Sequence, residues 1–349
     1  MRNDLSPSHH PSRAASVSVL GAGIAGAWQA LLFAKAGYPV TLCERSGPDL
    51  AGSTSVRAGG MLAPWCEQEA AEPVITRLGS RALPLWREHM PDTAFNGSLV
   101  IAHERDRADF ERFARLTSSY ERLDADGIAR LEPALDGRFR EALFFPDEGH
   151  VEPRQVLPRL HAMLAEAGGS IRFGTACEPH DLTKQSDIVI DCRGIAARES
   201  DTAGPCADLR GVKGEMIVIE TYEVQLSRPV RFIHPRWALY IIPRDNNRFM
   251  LGATSIEGED TGVSVRSALE LLSAAYAVHP AFGEARIVEF GAGLRPAYPD
   301  NLPRIDINGP HISVNGLYRH GFLLAPTLAE LTLAYVARGA IDNEVMRCN

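Results

Sequence analysis

A glycine loop near the start of the chain constrains the fold most. Gly21-Ala22-Gly23-Ile24-Ala25-Gly26 has the spacing G-x-G-x-x-G. Residues 16–20 alternate as a strand does, and residues 23–36 carry apolar groups at helical spacing. An acid, Glu44, follows Gly26 by 18 positions, at the end of a second apolar stretch over 38–43. Strand, loop, helix and acid together form the dinucleotide-binding pattern. Gly21 permits the tight turn, Gly23 lets the backbone approach a pyrophosphate, and Gly26 lets helix and strand pack closely. The helix start then offers free N–H groups and a positive dipole end to the phosphates. Glu44 is placed to accept from ribose hydroxyls, and a carboxylate there argues against NADP. The loop alone does not separate FAD from NAD. The small-residue segment 53–64 suits a chain running beside a long extended cofactor.

The 349 residues suffice for two domains. At 45% hydrophobic and 23% charged residues, the chain reads as globular rather than disordered or fibrous. Lys plus Arg is 36 and Asp plus Glu is 44, a net charge of −8. That balance gives no footprint for nucleic acid, which is bound through neutralised phosphates. The six cysteines include no C-x-x-C, so neither a zinc site nor a redox pair is signalled. Scattered thiols suit a reducing compartment. No run of 18 apolar residues occurs, so no membrane span is expected. Residues 1–16 are polar and lack the apolar stretch of a signal peptide. They read as a disordered tail, with His9 and His10 solvated, and cytoplasm is the expected location. No metal site is expected.

Beyond the loop, helical spacing recurs over 77–87, 106–116, 152–167, 265–277 and 323–337. Strands are expected over 98–103, 186–192 and 312–314. Between 212 and 255, short apolar runs split by Pro, Asp and Asn give an antiparallel pattern. This mixture of α/β and antiparallel segments suggests two interleaved domains.

Seven stretches in order resemble one family, the FAD-dependent amine oxidases that include D-amino acid oxidase, sarcosine oxidase and glycine oxidase. They are Val19-Leu-Gly-Ala-Gly-Ile-Ala-Gly26, Ala58-Gly-Gly-Met-Leu-Ala-Pro64, His150-Val-Glu-Pro153 and Val212-Lys-Gly-Glu215. They continue with Tyr240-Ile-Ile-Pro-Arg244 plus Leu251-Gly-Ala-Thr254, Ala292-Gly-Leu-Arg-Pro296 and Tyr318-Arg-His-Gly-Phe-Leu-Leu-Ala-Pro326. The likeness is greatest to the glycine oxidases of bacterial thiamine biosynthesis. It implies a Rossmann-like α/β FAD-binding domain (17–93, 144–210 and 291–349). Interleaved with it would be an α+β substrate domain on an antiparallel sheet (94–143 and 211–290).

The resemblance also implies a site. FAD would meet Gly21, Gly23, Ile24, Ala25, Gly26, Glu44, Arg45 and Ser53 at one end. Cys177 and Gly194 would lie along its length. Its flavin would meet Ala58, Gly59, Gly60 and Met61, and the loop Tyr318, Arg319, His320, Gly321, Phe322 and Leu323. Arg295, near the flavin, maps onto the arginine that grips the substrate carboxylate, with Tyr240 assisting and Arg319 as a second cation. The implied reaction removes a hydride from the Cα of glycine or another small amino acid. Its products are an imine, then a 2-oxo acid and ammonia, with oxygen reoxidising the flavin to give hydrogen peroxide. A thiazole synthase partner and a homo-oligomer are expected. No cysteine lies in the 295–300 stretch, where sarcosine oxidases attach their flavin, so the FAD is expected to be non-covalent. Two departures stand out: Asp191-Cys-Arg-Gly194 replaces a small strand end, and Ser255 replaces a bulkier residue. The alternatives are a dehydrogenase with a non-oxygen acceptor, an NAD enzyme, and a non-catalytic flavin-binding subunit.

Overall fold

The computed structural model describes residues 15–201, 204–234 and 239–348. His9 and His10 lie outside the described residues. At the first described residues, Ser16 donates from N and Oγ to Asp187 Oδ2, at 2.7 and 2.8 Å.

The glycine loop joins β1 (Val17–Leu20) to α1 (Ile24–Lys35), and β2 (Val40–Cys43) follows. β1 pairs in parallel with β2 on one side and with Ile188–Asp191 on the other. The sheet extends to Ser170–Arg172 beyond β2, and to His311–Asn315, Arg304–Asn308 and Met346–Cys348 beyond Ile188–Asp191. All neighbours are parallel except Arg304–Asn308 against His311–Asn315. The chain therefore leaves β1 in opposite directions, and such a switch point opens a crevice at the carboxyl ends of the strands.

α1 is apolar around its whole circumference, as a fully buried helix must be. Helix Gly321–Arg338 packs on one flank and Pro153–Glu166 on another. The Trp28 ring meets Trp86, from helix Pro73–His89, edge to face at 4.9 Å. Its one polar interior residue, Gln29, donates from Nε2 to Thr332 Oγ1 at 3.0 Å.

The second sheet has nine strands and is almost wholly antiparallel. Alternation along each strand sorts its side chains between two faces. Ile217, Ile219, Phe232, Ile241, Phe249 and Leu251 point to a core shared with Leu271, Ala275 and Val278 of helix Val265–Val278. The intervening residues Met216, Arg231, Tyr240, Ile242 and Met250 point the other way, toward the cleft side of the sheet.

Several strands do not appear in the sequence reading. Glu121–Asp124 is charged and exposed, so it carries no alternating pattern. Arg286–Ala297 is twelve residues long and pairs with Arg210–Glu220 along that strand's length. Its glycines and Pro296 suggest a loop. The expected domain boundary between 290 and 291 falls inside this strand.

Candidate active site

One cleft runs from the carboxyl ends of the first sheet to the inner face of the second. At its first end lies the glycine loop. Gly21 has φ +89°, and a Cβ there would stand 2.8 Å from Cys192 O. A Cβ on Gly26 would lie 1.8 Å from Gly21 O, so only glycine lets the helix sit this close to the turn. Gly23 caps α1 without a side chain, and the first turn holds no acid. The helix start is thus electropositive, and the Ser55 hydroxyl accepts from Ile24 N at 3.1 Å.

Glu44 is buried beside the loop. Its Oε2 accepts from Ala22 N at 2.8 Å, and its Oε1 accepts from Ser46 N and Oγ at 2.9 and 2.7 Å. A carboxylate offers about four lone-pair positions, so about one remains to accept from a ribose hydroxyl. Arg45, Ser53, Cys177 and Gly194 border the same stretch. At the departure from the family pattern, Asp191 is closed off by Arg193, whose Nη2 donates to Oδ2 at 2.8 Å.

Along the middle of the cleft, Ala58, Gly59, Gly60 and Met61 form one wall. Arg244 holds this segment from behind, donating from Nη2 to Gly59 O at 2.7 Å and pairing through Nε with Glu152 at 2.6 Å.

The far end gathers charge. Arg295 reaches in from the second sheet, its guanidinium lying flat on the backbone of Gly214. A Cβ on Gly214 would stand 2.3 Å from Arg295 Nη2. Nη1 donates to Thr254 O at 2.8 Å. No carboxylate among the described residues pairs with it. Burial pulls its pKa down, Tyr318 opposes this, Arg319 adds to it and Glu67 opposes it. It nevertheless stays a cation, as guanidinium does in proteins.

Glu67 is the carboxylate at this end, and sequence reasoning missed it. Arg319 Nη2 approaches its Oε2 at 3.0 Å, and His320 Nδ1 lies 3.8 Å away. Tyr240 donates its hydroxyl proton to Oε1 at 3.1 Å. Among the described residues Oε2 nevertheless has no hydrogen-bond donor, the Arg319 contact having ion-pair distance without hydrogen-bond alignment. Burial alone would raise this carboxyl. Arg319, His320, Arg231 and Tyr240 overcome it and hold the group down at about 2. Arg231, also missed, donates from Nη1 to Tyr240 Oη at 3.2 Å and from Nη2 to Glu69 Oε2 at 3.0 Å. Because Tyr240 has a single proton and Glu67 takes it, a substrate carboxylate must displace Glu67 to use that donor.

The turn bearing Glu67 is fixed by Glu148, whose Oε1 accepts from Trp65 N at 3.0 Å and Cys66 N at 2.7 Å. Its other oxygen pairs with the Ser98 hydroxyl. Burial pushes Glu148 up to about 8. On the opposite side Tyr318, at φ +49°, pairs its hydroxyl with Ser255 Oγ at 2.8 Å. Gly321 and Phe322 open helix Gly321–Arg338 onto the cleft, again with no acid in the first turn.

Three expected cofactor residues do not border the cleft. Gly26 acts in packing, and His320 is buried behind Arg319, burial holding its pKa at about 4. The Leu323 side chain packs into the helical core against Gly79. The other expected residues all line the cleft. Among the described residues no cluster of His, Cys, Asp and Glu suits a metal ion.

Comparison with known proteins agrees with this geometry. The family described as DAO, FAD dependent oxidoreductase, matches residues 16–335. A protein of Rhizobium etli, named for a thiamine biosynthesis oxidoreductase ThiO, is 52% identical over 315 residues, 90% of this chain and 94% of its own. A bifunctional ThiO/ThiG protein of Synechocystis is 28% identical over 90% of this chain and 50% of its own. A glycine oxidase of Geobacillus kaustophilus is 26% identical over 92% of this chain and 93% of its own. The crystal structure of glycine oxidase from that organism has a TM-score of 0.79 at 23% identity, covering 94% of this chain and 96% of that one. The chain belongs to the DAO family of FAD-dependent oxidoreductases, and FAD is its cofactor. The bare helix start, the glycine cradle and Glu44 fit that group. No helix among the described residues is long and apolar enough to cross a membrane.

Proposed function

We propose that this chain oxidises glycine or another small amino acid to the imine, which water converts to a 2-oxo acid and ammonia. The observation that carries the reading is Arg295, a half-buried cation in the cleft with no carboxylate partner among the described residues. Its planar fork suits a carboxylate bidentately. Glu67 stays ionised and lines the same cleft. A cation for the carboxylate and an acceptor for amine N–H bonds together describe an amino acid. FAD held along this cleft would supply the hydride acceptor for Cα, with oxygen as the final electron acceptor and hydrogen peroxide as its product. Holding both ends of a two-carbon substrate orients Cα without any side-chain base, and that positioning is what the protein contributes. Gly21, Gly23 and Glu44 would hold the ADP half of FAD, and Ala58–Met61 with Tyr318, Arg319, Gly321 and Phe322 the flavin half.

The names of the Rhizobium etli and Synechocystis relatives support a place in thiamine biosynthesis. The fused ThiO/ThiG arrangement supports a thiazole-forming partner that takes the imine. The test is anaerobic mixing of the yellow protein with a panel of amines, followed by oxygen uptake. Glycine should bleach the flavin, and oxygen should restore it with peroxide released. Bleaching that only a dye restores would make the protein a dehydrogenase. No bleaching by any amino acid would end the proposal.

A further inference from the structure

Two cysteines far apart in sequence meet at the Glu44 end of the cleft. Cys43 ends β2, is 2% exposed, and packs with Leu20, Leu182 and Val189. Cys177 packs against the same cluster and borders the cleft. Both thiols border the cleft from this one small cluster. Both are free. The segment carrying Cys177 is held to β2's end by Thr175 N donating to Glu44 O at 2.8 Å and Gly174 N to Ser46 O at 2.9 Å. No catalytic or substrate-binding role uses this pair.

We propose that Cys43 and Cys177 form a peroxide-sensitive modification site, closing to a disulfide in FAD-free protein and shielded when FAD is bound. Cys177, half-buried in the cleft wall, is the thiol that peroxide reaches. As thiolate it attacks one peroxide oxygen, the O–O bond breaks, and the departing oxygen leaves as water with the thiol's proton. Cys177 is then a sulfenic acid. The Cys43 sulfur attacks Cys177 sulfur, the S–O bond breaks, and a second water leaves carrying the Cys43 proton. Two thiols and one hydrogen peroxide give one disulfide and two waters. Burial pushes the Cys43 thiol up to about 11, with Cys177 adding to it and Arg172 opposing. Cys43 is therefore the resolving partner rather than the attacking one. Closure brings the two sulfurs to about 2.05 Å, pulling residue 177 toward the strand end beside Glu44. If bound FAD excludes that closed form, the closed form must weaken FAD binding by the same factor.

The test uses full-length protein either saturated with FAD or dialysed to partial occupancy. Both samples receive the same dose of hydrogen peroxide, so the result does not depend on turnover or on the substrate reading. Free thiols are then blocked with N-ethylmaleimide, and peptides are mapped without reduction. The expected product is a peptide pair joined through Cys43 and Cys177, its yield following the FAD-free fraction. Dithiothreitol should remove it and restore FAD binding, and Cys43→Ser should abolish it. Intact thiols in the FAD-free fraction, Cys177 oxidised without a link, or equal linkage in FAD-saturated protein would each overturn the proposal.

Discussion

The Arg295 guanidinium rests on the Gly214 backbone so closely that a methyl group there would overlap it, 2.3 Å from Nη2 and 2.4 Å from Cζ. Glycine at 214 is thus what lets Arg295 lie flat where a substrate carboxylate can reach it. Gly214→Ala should move only the far end of a flexible side chain, so stability and FAD content should change little. A displacement of about 1 Å can cost about 100-fold in rate. A comparable fall in kcat/KM for the preferred amino acid is expected. Steady-state kinetics beside melting and flavin content will check it. Unchanged kcat/KM would mean Arg295 tolerates the shift.

Glu44 gives a prediction about the cofactor alone. Glu44→Gln replaces one acceptor oxygen with a donor facing Ala22 N or Ser46. Loss of a charged hydrogen bond costs about 1.5–3 kcal/mol, so the Kd for FAD should rise roughly 10- to 150-fold. Glu44→Arg should be worse, since it places a cation where acceptors are needed. Titration of FAD into depleted protein measures both, and unchanged affinity would remove Glu44 from the ribose site.

Glu148 predicts a pH dependence of stability. Burial raises its carboxyl to about 8, so the fold holds a proton that the unfolded chain releases above about pH 4.3. Its contribution is full below that pH and drains as pH rises toward 8, by at most about 1.4 kcal/mol per pH unit. Glu148→Gln keeps a carbonyl for Trp65 N and Cys66 N and cannot ionise. Its Tm should fall less steeply than that of the unaltered protein between about pH 5 and about pH 8. Parallel curves would show that Glu148 is already ionised in the fold.

What the sequence revealed follows from where its constraints lie. The β1–loop–α1 unit was legible because the glycine spacing is a backbone requirement that no packing partner alters. The antiparallel sheet was legible between 212 and 255 and in the strand expected over 98–103, which forms at Ser98–Ala102. Arg286–Ala297 was hidden because its glycines serve contact rather than turning: a Cβ on Gly291 would lie 2.5 Å from Met216 Cε, and one on Gly293 3.0 Å from Thr54 Cγ2. Arg295 was visible through family resemblance and not through any local pattern. Glu67 left no signal at all. It matters because Arg231, Tyr240 and Arg319 converge on it from distant segments, and only the assembled fold brings them together. The thiol pair Cys43–Cys177 was equally invisible, since spacing along the chain does not report a meeting of a strand end with a distant loop.

The account turns on Arg295 as the carboxylate clamp, and anaerobic flavin reduction tests it most directly. Arg295→Ala should remain folded and yellow while losing about 2–5 kcal/mol of transition-state binding, roughly 30- to 4,000-fold in reduction rate over Kd with glycine. Arg295→Lys should recover part of it, because an ammonium keeps the charge and loses the planar fork. Amines without a carboxylate should be affected far less. If instead Arg295→Ala sheds FAD and stability while glycine still reduces each remaining flavin at the normal rate, Arg295 is a structural residue and the clamp lies elsewhere.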